Sequence, residues 1–312
     1  MNEGGAPIFV VGCARSGTTM LRRMLDANSE LAVTRESHFI PALWRRRAAF
    51  ERDGAIDAEK LAGDIVGGFR FSRWRLPEDA VWRKVRGLER PGFADVVEAV
   101  YRAYAEHHGK PRWGDKTPGY VAEIPTIAAL FPEARFVHLL RDGRDVALSL
   151  LDVAWGPKRL ADAAAFWGHQ VAAGRRDGTA LGPKRYLEVR YEDLIEETEH
   201  SLRGICTFAG LEFQPEMLRY YEGVRGRRHQ ARGRGQTSLA EPPTKGLRDW
   251  RRDLSPDDVA LFEAIAGGEL SALGYERAFP HPPLSARLKA RLAQARTGLT
   301  RGLRRGISRE AP

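Results

Sequence analysis

Pro7-Ile8-Phe9-Val10-Val11-Gly12-Cys13-Ala14-Arg15-Ser16-Gly17-Thr18-Thr19-Met20-Leu21 is the stretch that decides the fold. Ile8 to Val11 has the length and composition of a short buried strand. The run breaks at Gly12 into a loop closed by Gly17, and a helix is expected to open at Thr18. Glycines let the backbone turn tightly with its N–H groups pointing inward, while a helix N-terminus adds unpaired amides and the positive end of its dipole. Strand, loop and helix in that order predict an anion cradle suited to phosphate or sulfate.

The cradle departs from a nucleoside-triphosphatase loop at one position. There a Lys follows the second glycine and reaches the β- and γ-phosphates beside a magnesium ion. Here Thr18 stands in its place, and the nearby cation is Arg15, inside the loop. A ligand with a 5′-diphosphate-like group and no obligatory metal fits that chemistry better than ATP does. A P-loop kinase would also need an acidic magnesium ligand ending a strand, whereas Leu140 is followed by Arg141.

A second strand-to-helix junction lies at Arg135-Phe136-Val137-His138-Leu139-Leu140, continued by Arg141-Asp142-Gly143-Arg144-Asp145-Val146-Ala147-Leu148-Ser149. A guanidinium grips phosphate oxygens with two prongs, and a hydroxyl early in the following helix adds a neutral donor. Arg141 and Ser149 supply that pair.

Together the two junctions resemble those of sulfotransferases that use 3′-phosphoadenosine 5′-phosphosulfate (PAPS). Arg15-Ser16-Gly17-Thr18-Thr19 is similar to that family's 5′-phosphosulfate loop, so the resemblance assigns Gly12 through Thr19 to the phosphosulfate and Arg141 with Ser149 to the 3′-phosphate. Tyr186 to Leu194 looks like the family's strand ending in Tyr-Glu-Asp-Leu, which implies that Tyr191 lies near the nucleotide. Trp113-Gly114-Asp115-Lys116-Thr117-Pro118 resembles the segment that brings a Lys, here Lys116, to the sulfuryl group. Ser238 to Trp250, with Ser238, Lys245 and Gly246, resembles at looser spacing the segment that closes over the cofactor. The resemblance runs from about Pro7 to Tyr275.

A base is sought in Thr34-Arg35-Glu36-Ser37-His38-Phe39. In the branch containing tyrosylprotein and some bacterial sulfotransferases a Glu at this place takes the acceptor's proton, which maps onto Glu36; other branches use a His, which keeps His38 in reserve. Taken alone, Glu36 would serve equally as a helix N-terminal carboxylate, and Lys116 as a surface residue in a Lys-Thr-Pro turn. The resemblance implies in-line sulfuryl transfer from PAPS to a hydroxyl, or an amine, releasing the 3′,5′-bisphosphate product PAP. Lys116 and Arg15 would stabilise developing charge without a metal. A P-loop-like nucleotide kinase and a nucleotide-binding protein without turnover stay open as alternatives.

The rest of the chain is consistent with an α/β protein. Strands near Ile8–Val11, Phe136–Leu140 and Tyr186–Val189 alternate with helices near residues 18–27, 121–131, 144–151 and 256–273. This predicts a P-loop-like three-layer sandwich, a central parallel sheet flanked by helices. With 312 residues, 43% of them hydrophobic, one domain over 1–280 is expected, in which 41–112 is a helical insertion on the acceptor side. Trp44, Arg45-Arg46-Arg47, Trp74 and Trp82 in that insertion suit an aromatic, glycosidic or anionic acceptor and suit ordinary core and surface equally well. A small-molecule, glycoconjugate or peptide acceptor is therefore expected.

Charge is uneven along the chain. Residues 281–312 hold Arg287, Lys289, Arg291, Arg296, Arg301, Arg304, Arg305 and Arg309 against Glu310, which is +7 of the chain's +9. A nucleic-acid-binding protein would spread such charge over its body, so no nucleic-acid partner is expected. Leu284, Leu288, Leu292, Leu299, Leu303 and Ile307 are spaced for a basic amphipathic helix that could lie on an anionic membrane, and a solvated tail is the alternative. No basic segment leads into a long apolar run, so a cytoplasmic location is expected. Cys13 and Cys206 do not suggest a disulfide framework or a metal site. Of 50 basic residues only 8 are Lys, a bias common in GC-rich bacteria.

Overall fold

Five parallel strands form the centre of the computed structural model, which describes residues 5–52, 54–222 and 248–307. They are β1 (Ile8–Val11), β2 (Leu31–Thr34), β3 (Arg112–Lys116), β4 (Arg135–Leu140) and β5 (Tyr186–Arg190), in the spatial order β2-β3-β1-β4-β5. The helices along the chain are α1 (Thr18–Asp26), α2 (Phe39–Arg45), α3 (Ala58–Val66), α4 (Glu78–Arg86), α5 (Phe93–His107) and α6 (Ile124–Leu130), then α7 (Gly143–Leu151), α8 (Leu160–Thr179), α9 (Tyr191–Glu196) and α10 (Thr198–Ala209). After a single turn at Trp250–Asp253 come α11 (Pro256–Ala272) and α12 (Leu284–Ile307). Ser238, Lys245 and Gly246 lie outside the described residues.

The described residues fall into two compact units, the first drawn from Met1–Gly12, Ser16–Leu140 and Gly174–Lys245, the second from Cys13–Arg15, Arg141–Ala173 and Gly246–Pro312. The first contains the sheet. β1 is its middle strand and reads as one unbroken apolar run because both of its faces are covered. Side chains alternate along it. Phe9 and Val11 enter a core with α3, α4 and α5, while Ile8 and Val10 enter a second core with α1, α9 and α10. This is the predicted α/β three-layer architecture with a P-loop-like strand-loop-helix at its centre.

β3 was not expected from the sequence, since Arg112-Trp113-Gly114-Asp115-Lys116 contains three charged residues and all five are buried. Each charge has a partner. Arg112 donates to the carbonyls of Ala209 and Gly210 at the C-terminus of α10, at 2.7 Å each, where a cation is favoured by the helix dipole. Asp115 accepts from Thr34 Oγ1 at 3.1 Å and from the Tyr101 hydroxyl at 3.0 Å. Lys116 pairs with Glu36. The helix expected over 121–131 starts late: a 3-10 turn covers Pro118–Ala122 and α6 begins at Ile124, because Pro125 lacks the N–H of a helix interior and is tolerated only in a first turn.

Within 41–112 the tryptophans are divided. Trp74 is core, 5.2 Å from the Tyr101 ring, whereas Trp44 meets Phe93 at 5.1 Å and is capped by the Arg47 guanidinium.

The second unit is built on a buried ion network. Arg144, almost fully buried on α7, donates to Asp142 at 2.8 Å and to Glu263 of α11 at 2.7 Å, with its guanidinium 3.6 Å over Trp250. Removing one member would leave an uncompensated buried charge, a loss of about 3–5 kcal/mol. The network anchors α7 and with it Arg141 and Ser149. α12 packs on α11 and buries Ala286, Ala290 and Ala293. Among the described residues no helix is long and apolar enough to cross a membrane.

Candidate active site

The loop after β1 is shaped by two glycines. Gly12 has φ 150° and Gly17 φ 94°, and a Cβ would come within 2.5 Å of the Leu139 carbonyl oxygen at the first and of the Tyr191 ring at the second. Side chains are excluded there, which leaves the backbone free to face a ligand. Gly17 is the N-cap of α1, and the first turn carries no acidic residue, so the positive dipole end is not offset. Tyr191, predicted near the nucleotide, lies against this loop. Ser16 is buried, and its hydroxyl has no hydrogen-bond partner among the described residues. A buried hydroxyl left unpaired is costly unless a ligand satisfies it. Cys13 is buried as well, and burial pushes its thiol far above the ordinary range, so it is not a thiolate. Cys206 on α10 is likewise pushed up, to about 11.

Glu36 and Lys116 meet in the first unit. Lys116 Nζ donates to Glu36 Oε1 at 2.8 Å and to Thr19 Oγ1, in the first turn of α1, at 3.2 Å. Arg70 Nη1 donates to Glu36 Oε2 at 3.1 Å, and His38 Nε2 is 3.1 Å from the same oxygen. The segment is pinned from behind, because the Ser37 N–H donates to Thr117 Oγ1 at 2.9 Å and the Ser37 hydroxyl lies 2.7 Å from that of Tyr120. His38 itself takes a left-handed conformation at φ 59°, a strained geometry that turns the chain into α2. Burial would raise the Glu36 carboxyl, but the His38 hydrogen bond and the Lys116 charge outweigh it and hold Glu36 well below the ordinary carboxylate range. Lys116 is lowered by burial, with Glu36 opposing. Neither Glu36 nor Lys116 is a free surface charge.

In the second unit, Arg15 Nε donates to Ser149 Oγ at 3.0 Å. Ser149, expected early in its helix, falls in the second turn of α7. Arg15 is held at φ 76°, where a non-glycine residue costs about 1–3 kcal/mol. Arg141 lies 3.7 Å from Asp145, and Arg248 is paired with Asp152. Burial and then the charges of Arg248 and Arg141 lower the pKa of Arg15. Asp152 opposes that lowering, and an anion seated beside Arg15 would oppose it further.

Two participants went unnoticed in the sequence. Arg70 reaches Glu36 from 34 residues away in a segment with no motif, which no local pattern reveals. Arg248 lies in the segment expected to close over the cofactor, in the same stretch as Lys245 and Gly246; after burial, its charge lowers the pKa of Arg15.

The sulfotransferase family's sequence profile matches residues 7–215. Protein-tyrosine sulfotransferase 2 of Gallus gallus is 26% identical over 287 residues, 88% of this chain and 71% of that protein. Protein-tyrosine sulfotransferase 1 of Danio rerio is 26% identical over 289 residues, 88% of this chain and 74% of that protein. Among solved structures, the sulfotransferase domain of the Synechococcus PCC 7002 olefin synthase superposes with a TM-score of 0.62 at 23% identity, covering 88% of this chain and 97% of that one, a likeness of fold.

Proposed function

The chain belongs to the sulfotransferase family, and on that premise we propose that it carries a sulfuryl group from PAPS to a hydroxyl acceptor, with Glu36 as the base. The observation that supports this most directly is the Lys116 ammonium shared between Glu36 and Thr19, at the start of the helix that closes the anion loop. The buried Ser16 hydroxyl, without a partner among the described residues, the loop amides and the Arg15 guanidinium fit a phosphosulfate. Arg141 and Ser149 would take the 3′-phosphate.

In the transfer the acceptor oxygen forms a bond to sulfur while the bond from sulfur to the oxygen of the 5′-phosphate breaks, in line. The acceptor's proton goes to Glu36, and PAP departs. A carboxylate clamped by two cations and an imidazole is a weak base. A phosphosulfate in the loop gives Lys116 a second anion to hold, and as Lys116 turns to it Glu36 gains basicity. Proton removal of this kind is worth about 10²–10⁴-fold. Among hydroxyls a phenol suits this base best, since a Tyr hydroxyl ionises near about 10 and needs less help than an alkyl alcohol. The relatives named as protein-tyrosine sulfotransferases favour the same class.

Calorimetric binding of PAP, set against ADP and magnesium-ATP, is the test. Micromolar PAP binding that needs the 3′-phosphate and ignores magnesium is expected. Preference for magnesium-ATP would reinstate the kinase alternative.

A further inference from the structure

α12 turns two unlike faces outward and inward. Ala286, Ala290 and Ala293 are buried where it packs on α11, while Leu284, Leu288 and Leu292 are 73%, 58% and 64% exposed. Leucines four residues apart, at about 100° per residue, fill an arc of about 80° on the side away from the alanines. Arg287 and Arg291 edge that arc on one flank, Lys289 and Arg296 on the other, and all four are exposed. We propose that this face of α12 lies on an anionic lipid surface.

The arrangement has the parts such contact requires. Leucines enter the headgroup boundary, and cations on either side meet lipid phosphates and carboxylates. Concentration of +7 of the chain's +9 into residues 281–312 points the protein's field at this helix. A second copy of the chain docking by the same face would bring like charges together, which opposes a symmetric dimer here. Nor is the helix apolar enough to cross a bilayer, so it would lie flat. None of these residues takes part in the sulfuryl transfer proposed above.

Flotation of the full-length protein with vesicles of phosphatidylcholine alone, or mixed with phosphatidylserine, tests the proposal. Binding only to the mixed vesicles, weakened by salt, is expected, together with an at least roughly tenfold loss in Leu288→Glu/Leu292→Glu at unchanged melting temperature. If that variant melts early, Leu288→Ser/Leu292→Ser addresses the same face. The proposal is overturned by failure to float with anionic vesicles, by equal flotation of a folded variant, or by a dimer in sedimentation that the variant dissociates, which would assign the leucines to a second copy.

Discussion

Two groups of cations in this protein are handled in opposite ways. In the first unit Lys116 and Arg70 converge on a single carboxylate of the chain's own, Glu36. In the second unit burial, and then the charges of Arg248 and Arg141, make Arg15 harder to protonate, although each of those two has a carboxylate beside it. Cations gathered on a carboxylate set how readily it holds and passes a proton. Arg15, which donates to the Ser149 hydroxyl, is placed to meet an anion from outside. On the function proposed above, proton transfer would fall to the Glu36 group and the 3′-phosphate to Arg141 and Ser149, and substitutions should separate the two.

Glu36→Gln gives the largest expected effect, a fall in kcat of about 10²–10⁴-fold with PAP affinity held within about twofold. Retained turnover in that variant would shift the base to His38 and dissolve the contrast from the first side. Arg141→Ala attacks the second: losing a charge-assisted contact should weaken PAP binding by about 1.5–3 kcal/mol, with Ser149→Ala costing about 1 kcal/mol. Loss of kcat with untouched PAP affinity in Arg141→Ala would mean the clusters do not divide the work.

Asp115, beside Lys116, supplies a stability measurement. Burial pushes its carboxyl from 3.8 to about 6, against hydrogen bonds from Thr117, Ser37, Tyr101 and Thr34. The folded protein therefore binds the proton more tightly than the unfolded chain. Stability from this group is complete below pH 3.8 and is lost as pH rises through about 6, a change of roughly 2–3 kcal/mol. Chemical denaturation across that window should show the decline in the wild type and flatten in Asp115→Asn.

The smallest effect belongs to Arg70. Glu36 is held low, so its contribution to stability is present above pH 4.5 and fades as pH falls toward its depressed folded value. Arg70→Ala removes a part-exposed ion pair with Glu36 and should cost about 0.2–1 kcal/mol of stability in chemical denaturation, with Arg70→Lys restoring part of it. Stability unchanged in both would remove Arg70 from the Glu36 cluster.

What could be read in the sequence follows how local the physics is. β1 with its loop and β4 with the start of α7 were legible because an apolar run, a glycine and a helix start are neighbours in the chain. β3 was not. Its pattern is polar, and its burial depends on partners in α10, β2, α5, α1 and the Glu36 segment that only the folded chain assembles. Local rules fail there for a reason, since a strand carrying charges through the middle of a sheet is one whose charges are in use. Arg70 and Arg248 were hidden likewise, each defined by a partner distant in sequence. The tryptophans of 41–112 carried too little information, as Trp74 turned out to be core while Trp44 is only partly covered.

The two buried thiols have a practical consequence. Cys13 and Cys206 are the chain's only cysteines, and burial keeps both protonated at neutral pH. Maleimide or a nitroxide reagent should therefore pass them by, so Leu288→Cys would offer a single reactive handle on the exposed face of α12. A fluorophore or spin label fixed there would report the depth and angle of that helix without any need to strip the native cysteines first.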